Sequence, residues 1–395
     1  MAKKSMQDIE LTGKRVLVRV DFNVPRNKTT GEITNDVRIQ AGAPTIKYLS
    51  EQGAKVIVMT HMGRPKDDTD PILRLDKVAA RLAEIIGQPV KKLDKTVGPE
   101  VEEAVAAMQN GDVVMLENVR FLPGETKNDP ELAAELAKLG DVFVNDAFGT
   151  AHRAHCSTEG VGHILPGVMG FLMDKEISVL GKALSEAEHP FVAIVGGSKI
   201  SDKIGVVQNL LEKVDVLMIG GGMANTFLKA KGYEMGTSLV EDDKTELALE
   251  IMAHAEKLGK KLLIPVDVTV ATAIDAPETA QTVAADQVPA DRMALDIGPE
   301  TVKIYQDAVM NAKTILWNGP MGVFEVDAFA VGTFAVANAV AKSPAYSIVG
   351  GGDSVASLER TGLNDEIDHI STGGGASLEF LEGKELPGVA AANDK

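Results

Sequence analysis

Short, nearly unbroken runs of Val, Ile and Leu recur along the chain, each followed by a polar or glycine-rich turn and then by a stretch with helical spacing. They occupy 15–20, 55–60, 112–116 and 141–144 in the first half, and 191–195, 216–219, 261–265, 314–317 and 346–349 in the second. Successive apolar positions without clean alternation fit strands buried on both faces. Between them lie amphipathic stretches at 40–52, 77–86, 131–139, 245–258 and 299–311. This βαβ alternation predicts an α/β fold with a parallel sheet in each half. At 170–189, Met173, Ile177, Leu180 and Leu184 fall on one helical face, which predicts an amphipathic connecting helix between the halves.

Open parallel sheets bind ligands beyond the carboxyl ends of their strands. In the first half those positions hold Asp21 and Asn23, then His61 and Arg64, then Glu117, Asn118 and Arg120, then Asn145 and Asp146. So many polar groups at a sheet end are costly without something to bind. Nine of the 11 arginines precede the connector, among them Arg38 in the turn 35–38, and Arg153. Their planar forks suit carboxylate or phosphate, although each alone would also fit an ordinary surface. Arg15, Arg19, Arg74 and Arg81 lack such placement and read as structural. In the second half the same positions hold glycine: Gly196-Gly197, Gly220 to Gly222, Asn318-Gly319 and Gly350-Gly351-Gly352-Asp353-Ser354. Glycine lets backbone N–H groups approach a phosphate at a helix N-terminus. Lys199 and Lys203 would meet phosphate as point charges, and Asp353 a magnesium ion; solvated lysines and a helix-capping aspartate are the plainer alternatives.

A chain of 395 residues exceeds the size of most single cores, so two domains are expected. A formal charge of −17 argues against nucleic acid or an anionic membrane surface as a partner. Any anionic ligand then needs a local concentration of positive charge. The first ten residues lack an apolar core, and no apolar run approaches the roughly 20 residues of a membrane span, so the cytoplasm is the expected location. The lone Cys156 has no internal partner and reads as a small packed residue. P-loop, dinucleotide-binding and protein-kinase signatures are missing, and His152, His155 and Cys156 lack zinc-site spacing.

The segments 19–25 (Arg-Val-Asp-Phe-Asn-Val-Pro), 60–65, 117–121, 151–155, 195–199, 317–320, 349–354 and 371–375 together resemble the phosphoglycerate kinase family along essentially the whole chain. The resemblance implies two Rossmann-like domains, each a mostly parallel sheet flanked by helices, joined by a connecting helix. It places a phosphoglycerate-binding domain at 1–169, completed by a C-terminal strap at about 377–395, the connecting helix at 170–189 and a nucleotide-binding domain at 190–376. The implied reaction is reversible, Mg²⁺-dependent phosphoryl transfer between 1,3-bisphosphoglycerate and ADP, giving 3-phosphoglycerate and ATP, with closure of the two domains. Asp21, Asn23, Arg38, His61, Arg64, Arg120 and Arg153 match the family's glycerate pocket. Gly196, Lys203, Gly221, Asn318, Glu325 and Gly350 to Ser354 match its nucleotide site, with Glu325 at the ribose and Asp353 at the metal.

In the ATP-consuming direction the acceptor is a carboxylate, already ionised at neutral pH, so no general base is needed. Catalysis reduces to positioning and charge neutralisation, assigned here to Arg38, Lys199, Lys203 and the backbone N–H groups around Gly352 and Gly375. Gly170, His189 and the turn 371–375 are the hinge candidates. The chain is expected to act on small molecules as a monomer. Another ATP-dependent kinase of small carboxylic acids, or a non-catalytic two-domain protein that closes on an anion, remains open at this stage.

Overall fold

The computed structural model describes residues 3–66 and 70–395. Met1 and Ala2, which open the range expected for the first domain, and residues 67–69 lie outside the described residues. The chain forms two compact units, Met1–Ser178 with Glu385–Lys395, and Val179–Lys384.

In the first unit, β1 (Arg15–Arg19), β2 (Lys55–Met59), β3 (Val90–Lys92), β4 (Val113–Met115), β5 (Val142–Asn145) and β6 (Gly167–Met169) make one parallel sheet in the order β3-β4-β2-β1-β5-β6. Alternate strand residues feed two cores. Val16, Val18, Val56, Val58 and Val144 enter one, and Leu17, Ile57, Val114 and Phe143 the other. Burial on both faces is why these runs show no polar alternation. β3 carries two lysines and β6 begins with glycine, so neither stands out as an apolar run. The strand order turns back beside β1 and β5, and the segment carrying Asp21 follows β1 directly.

Three expectations are corrected here. The helix Val37–Glu51 starts earlier than its apolar pattern because Asn35 Oδ1 accepts the Val37 N–H at 2.9 Å and the Asp36 carbonyl accepts the Ile39 N–H at 2.8 Å. Arg38 therefore stands in a first helical turn, not in a loop. The tail is not simply extended: Pro387–Ala390 is a helical turn, and Gly388 N–H donates to the Ala151 carbonyl at 2.8 Å. Finally, several polar groups at the strand ends bind the protein itself. Glu117 pairs with Lys92 and with Arg74 (3.2 Å), Asn118 bonds both backbone groups of Met62, and Asn145 Nδ2 donates to the carbonyls of Thr158 and Gly388.

In the second unit, β7 (Phe191–Val195), β8 (Val216–Ile219), β9 (Lys261–Leu263), β13 (Thr314–Asn318), β14 (Tyr346–Gly350) and β15 (His369–Ile370) form a parallel sheet in the order β15-β14-β13-β7-β8-β9. The order reverses between β7 and β13. A second, antiparallel sheet of β10 (Asp267–Ala271), β11 (Gln281–Ala284) and β12 (Met293–Ile297) was not expected. β11 is largely exposed, so a search for continuous apolar runs passes over it.

The connecting helix is Phe171–Ser185. Its buried positions are Met173, Glu176, Leu180 and Ala183, while Ile177 and Leu184 are only partly covered. The buried stripe is therefore rotated from the predicted one. Its first turn is capped by Asp146, whose Oδ1 accepts the N–H groups of Leu172 (2.8 Å) and Met173 (3.1 Å) while Oδ2 has no partner among the described residues.

Burial raises the Asp146 carboxyl to about 7 against its cap hydrogen bonds. The folded protein then keeps a proton between about pH 4 and 7 that the unfolded chain has lost, so this group's contribution to stability falls as pH rises through that window. Asp146→Asn keeps the acceptor without the charge. Relative to the unmodified chain, its stability should rise by on the order of 4 kcal/mol between pH 4 and 8. Denaturant titrations at both pH values check this, and parallel curves would refute it.

Candidate functional site

At the carboxyl end of the first sheet, the segment after β1 bends so that Asp21 Oδ1 accepts the Asn23 N–H at 3.2 Å. Asp21 also pairs with Arg38 Nη1 at 3.0 Å, which aims the exposed guanidinium from its helix toward the strand ends. Asn23 Oδ1 accepts the Gly63 N–H (2.9 Å), and Arg120 Nη1 donates to the Gly63 carbonyl (2.8 Å). Both sides of the turn carrying His61 and Arg64 are thus pinned. Arg64, Arg120, Arg153 and His155 line a cavity of about 610 Å³ together with Lys66. All seven residues expected at the glycerate pocket therefore gather at this end of the sheet. Arg120 Nε and His155 Nδ1 are buried without hydrogen-bond partners among the described residues.

The pocket is strongly positive. Burial first, and then Arg19, Arg120 and Arg38, hold His61 well below the usual histidine range. Burial, Arg120 and Arg19 depress His155 to about 4. Both rings are neutral at physiological pH. Arg19 Nη2 lies 3.0 Å from His61 Nδ1. A guanidinium only donates, so Nδ1 accepts and the ring proton sits on Nε2.

The second unit's cradle is built from backbone. Gly196, after β7, packs so closely on the carbonyls of Gly319 and Pro320 that any Cβ would overlap them. Lys203 Nζ donates to Asn318 Oδ1, and Asn318 Nδ2 donates to the Gly350 carbonyl at 3.0 Å. Gly351, at φ +95°, turns the chain into the helix Gly352–Thr361, whose first internal bond runs from Val355 N–H to the Gly351 carbonyl. The N–H groups of Gly352, Asp353 and Ser354 precede that bond, and no side chain caps them. Ser354 Oγ accepts the Gly319 N–H at 2.5 Å, tying the two glycine turns together. Gly221, which opens the helix Gly222–Ala230, packs against the Gly197 backbone. Burial lowers the Lys203 ammonium, opposed by Asp353.

Lys199, Glu325 and Asp353 are exposed, and Gly375 opens a separate helix, Gly375–Leu381. Among the described residues, no hydrogen bond ties Lys199 or Glu325 to the cradle. The sequence reading took Arg19 as structural and missed its contact with His61. A charged residue at the end of an otherwise apolar strand was the available signal, since it is tolerated there only with partners. Glu125 and Ser157, which hold it, carry no comparable signal.

A family model described as phosphoglycerate kinase matches residues 6–384. The chain belongs to the phosphoglycerate kinase family. It is 59% identical to a phosphoglycerate kinase of Moorella thermoacetica, with both chains covered in full. Its fold matches the structure of phosphoglycerate kinase from Coxiella burnetii (TM-score 0.90, 43% identity, 98% of each chain). That of phosphoglycerate kinase from Pyrococcus horikoshii OT3 also matches (TM-score 0.81, 37% identity, 98% of each chain). The pair of parallel-sheet α/β units is thus the phosphoglycerate kinase fold, with the residues above at its strand ends.

Removing the hydroxyl in Ser354→Ala should leave the buried Gly319 N–H unpaired and cost about 1–3 kcal/mol. Denaturant unfolding measures that loss, which should be accompanied by weaker ADP binding; unchanged stability would mean the cradle does not depend on this link.

Proposed function

We propose that this phosphoglycerate kinase uses the arginine cluster of its first unit to hold 3-phosphoglycerate or 1,3-bisphosphoglycerate, and the glycine cradle of its second unit to hold ADP or ATP. The observation that carries this reading is the gathering of Arg38, Arg64, Arg120, Arg153 and neutral His61 at one sheet end of a chain with net charge −17. Asp21 orients Arg38, and Asn23 holds the turn carrying His61 and Arg64.

The cradle supplies N–H groups around Gly350 to Ser354, and Lys203 held by Asn318. Gly196 and Gly221 admit the nucleotide closely, and Glu325 meets its ribose. One exposed carboxylate beside a phosphate cradle fits Mg²⁺, which binds through one or two carboxylates and the substrate's phosphates instead of a protein cage. Asp353 would hold it; when bound, the ion neutralises phosphate charge. Among the described residues no group of three or more His, Cys, Asp or Glu is arranged as a cage.

Neither unit's set suffices alone. Transfer needs guanidinium from one and ammonium, N–H groups and Asp353 from the other around the same phosphoryl group, with Lys199 and Gly375 contributing donors. We assign glycerate binding to the first unit, with the tail that completes it, and nucleotide binding to the second. Because the carboxylate acceptor is already ionised, the neutral His61 serves as a donor, not a base. The enzyme acts on small molecules, as a cytoplasmic monomer; its acidic charge disfavours nucleic acid and anionic membranes, and no helix among the described residues is long and apolar enough to cross a membrane.

A coupled spectrophotometric assay with ATP, Mg²⁺ and 3-phosphoglycerate should show turnover, and preference for another small acid would overturn the substrate assignment. Arg38→Ala should lower kcat by about 10²–10³ with ADP affinity unchanged; equal losses in both would remove Arg38 from the transfer step. Asp353→Ala should weaken binding of Mg²⁺-ADP while leaving 3-phosphoglycerate binding intact. Titration calorimetry on the full chain with each ligand separates these, and an unaffected Mg²⁺-ADP titration would reject Asp353 as the metal's partner.

A further inference from the structure

Beneath the arginine cluster runs a buried line of hydrogen bonds that meets the candidate pocket only at His61. Arg19, Ser157 and Glu125 are each 0% exposed and His61 is 3% exposed. Glu125 Oε2 accepts the Ser157 backbone N–H at 3.1 Å, and its Oε1 accepts the Ser157 hydroxyl. With its one proton committed there, Ser157 Oγ faces Arg19 as an acceptor and takes the Nε–H at 2.7 Å. Nη1 donates to the Val20 carbonyl, and Nη2 is left directed at His61 Nδ1, 3.0 Å away. These four residues come from β1, the segment after β2, a short turn at Glu125–Lys127 and the loop after β5.

We propose that Glu125 and Ser157 are positioning residues that clamp Arg19 so that it fixes the ring tautomer of His61, presenting an Nε2–H donor to the glycerate substrate. A plainer role is available to Glu125, that of balancing a buried guanidinium. Balance alone would need only a carboxylate nearby; it would not need a serine hydroxyl bonded to both Glu125 and Arg19 Nε. What the line transmits is position: a guanidinium can only donate, and the clamp decides where its Nη2 points. The charged and titratable groups that act most strongly on His61 are Arg19 on β1, Arg38 on the helix Val37–Glu51, Arg120 after β4 and His155 after β5, and each disfavours a second ring proton; the Asp21 carboxylate nearby is paired with Arg38. The inference rests on the reading of His61 as a substrate ligand, and its first readout is independent of that reading.

That readout is ¹⁵N NMR of the full chain labelled at histidine, without substrate. His61 should show a protonated Nε2 and a bare Nδ1 that do not titrate between pH 5.5 and 9 in the range where free imidazole does, near 6.5. Ser157→Ala should give mixed tautomers and a titrating ring, and Ser157→Thr should restore the original pattern. In Ser157→Ala the KM for 3-phosphoglycerate should rise about tenfold and become pH-dependent, with kcat and the KM for ATP little changed. Glu125→Gln should move every readout in the same direction, and it stands in if Ser157→Ala does not fold. A His61 signal that stays a single, non-titrating Nε2–H species in both variants overturns the proposal. Altered tautomers with an unchanged KM for 3-phosphoglycerate would uphold the clamp and remove His61 from the substrate site.

Discussion

Holding a multiply charged anion on a protein that is itself strongly negative requires positive charge to be concentrated, and kept apart from the carboxylates that would cancel it. The first unit does this by burying Arg19 completely beneath the cluster. A desolvated guanidinium is expensive without partners. Ser157, the Val20 carbonyl and His61 take its N–H groups, and Glu125 lies close enough to offset its charge. Arg64, Arg120 and Arg153 line the cavity, while the balancing carboxylate lies on the inner side. Asp21 is the exception, and its pairing with Arg38 orients the one arginine that comes from a helix.

In the proposed function the second unit meets the same demand with dipoles. Backbone N–H groups at the start of Gly352–Thr361 attract phosphate while adding no ion to be desolvated. Their placement depends on contacts that leave no room for a side chain, as where Gly196 meets the carbonyls of Gly319 and Pro320. Lys203 is a half-buried charge in this set, and its hydrogen bond to Asn318 links it to β14 through the Gly350 carbonyl.

Much of this was legible in the sequence because burial on both faces of a parallel sheet leaves a direct trace: the runs at 191–195 and 216–219 coincide with β7 and β8. Strands at sheet edges leave less. β3 spends two of its three residues on lysine, and β15 is two residues long. The antiparallel sheet has exposed positions that a search for continuous apolar runs discounts. Among polar residues, position after a strand was a sound guide to the place but not to the partner. Arg120 and Asn118 stand two residues apart after β4, yet one lines the cavity and the other is spent on the backbone of Met62. Only three-dimensional contacts distinguish them. Arg19 is structural, as its place inside the strand suggested; its contact with His61 has no trace in the sequence.

That contact bears on why a histidine stands among so many arginines. A further guanidinium at position 61 would add like charge to a cluster already depressing the titration of its neighbours. A neutral imidazole supplies a directed donor without that repulsion, and it can do so only while its proton stays on the outward nitrogen. In free solution the two tautomers exchange readily, so the outward donor must be enforced by whatever touches the inner nitrogen. Here that contact is a side chain able only to donate, held in turn by a hydroxyl and a carboxylate from distant parts of the chain. The positive charge of the cavity and the neutrality of His61 therefore share one buried contributor, Arg19.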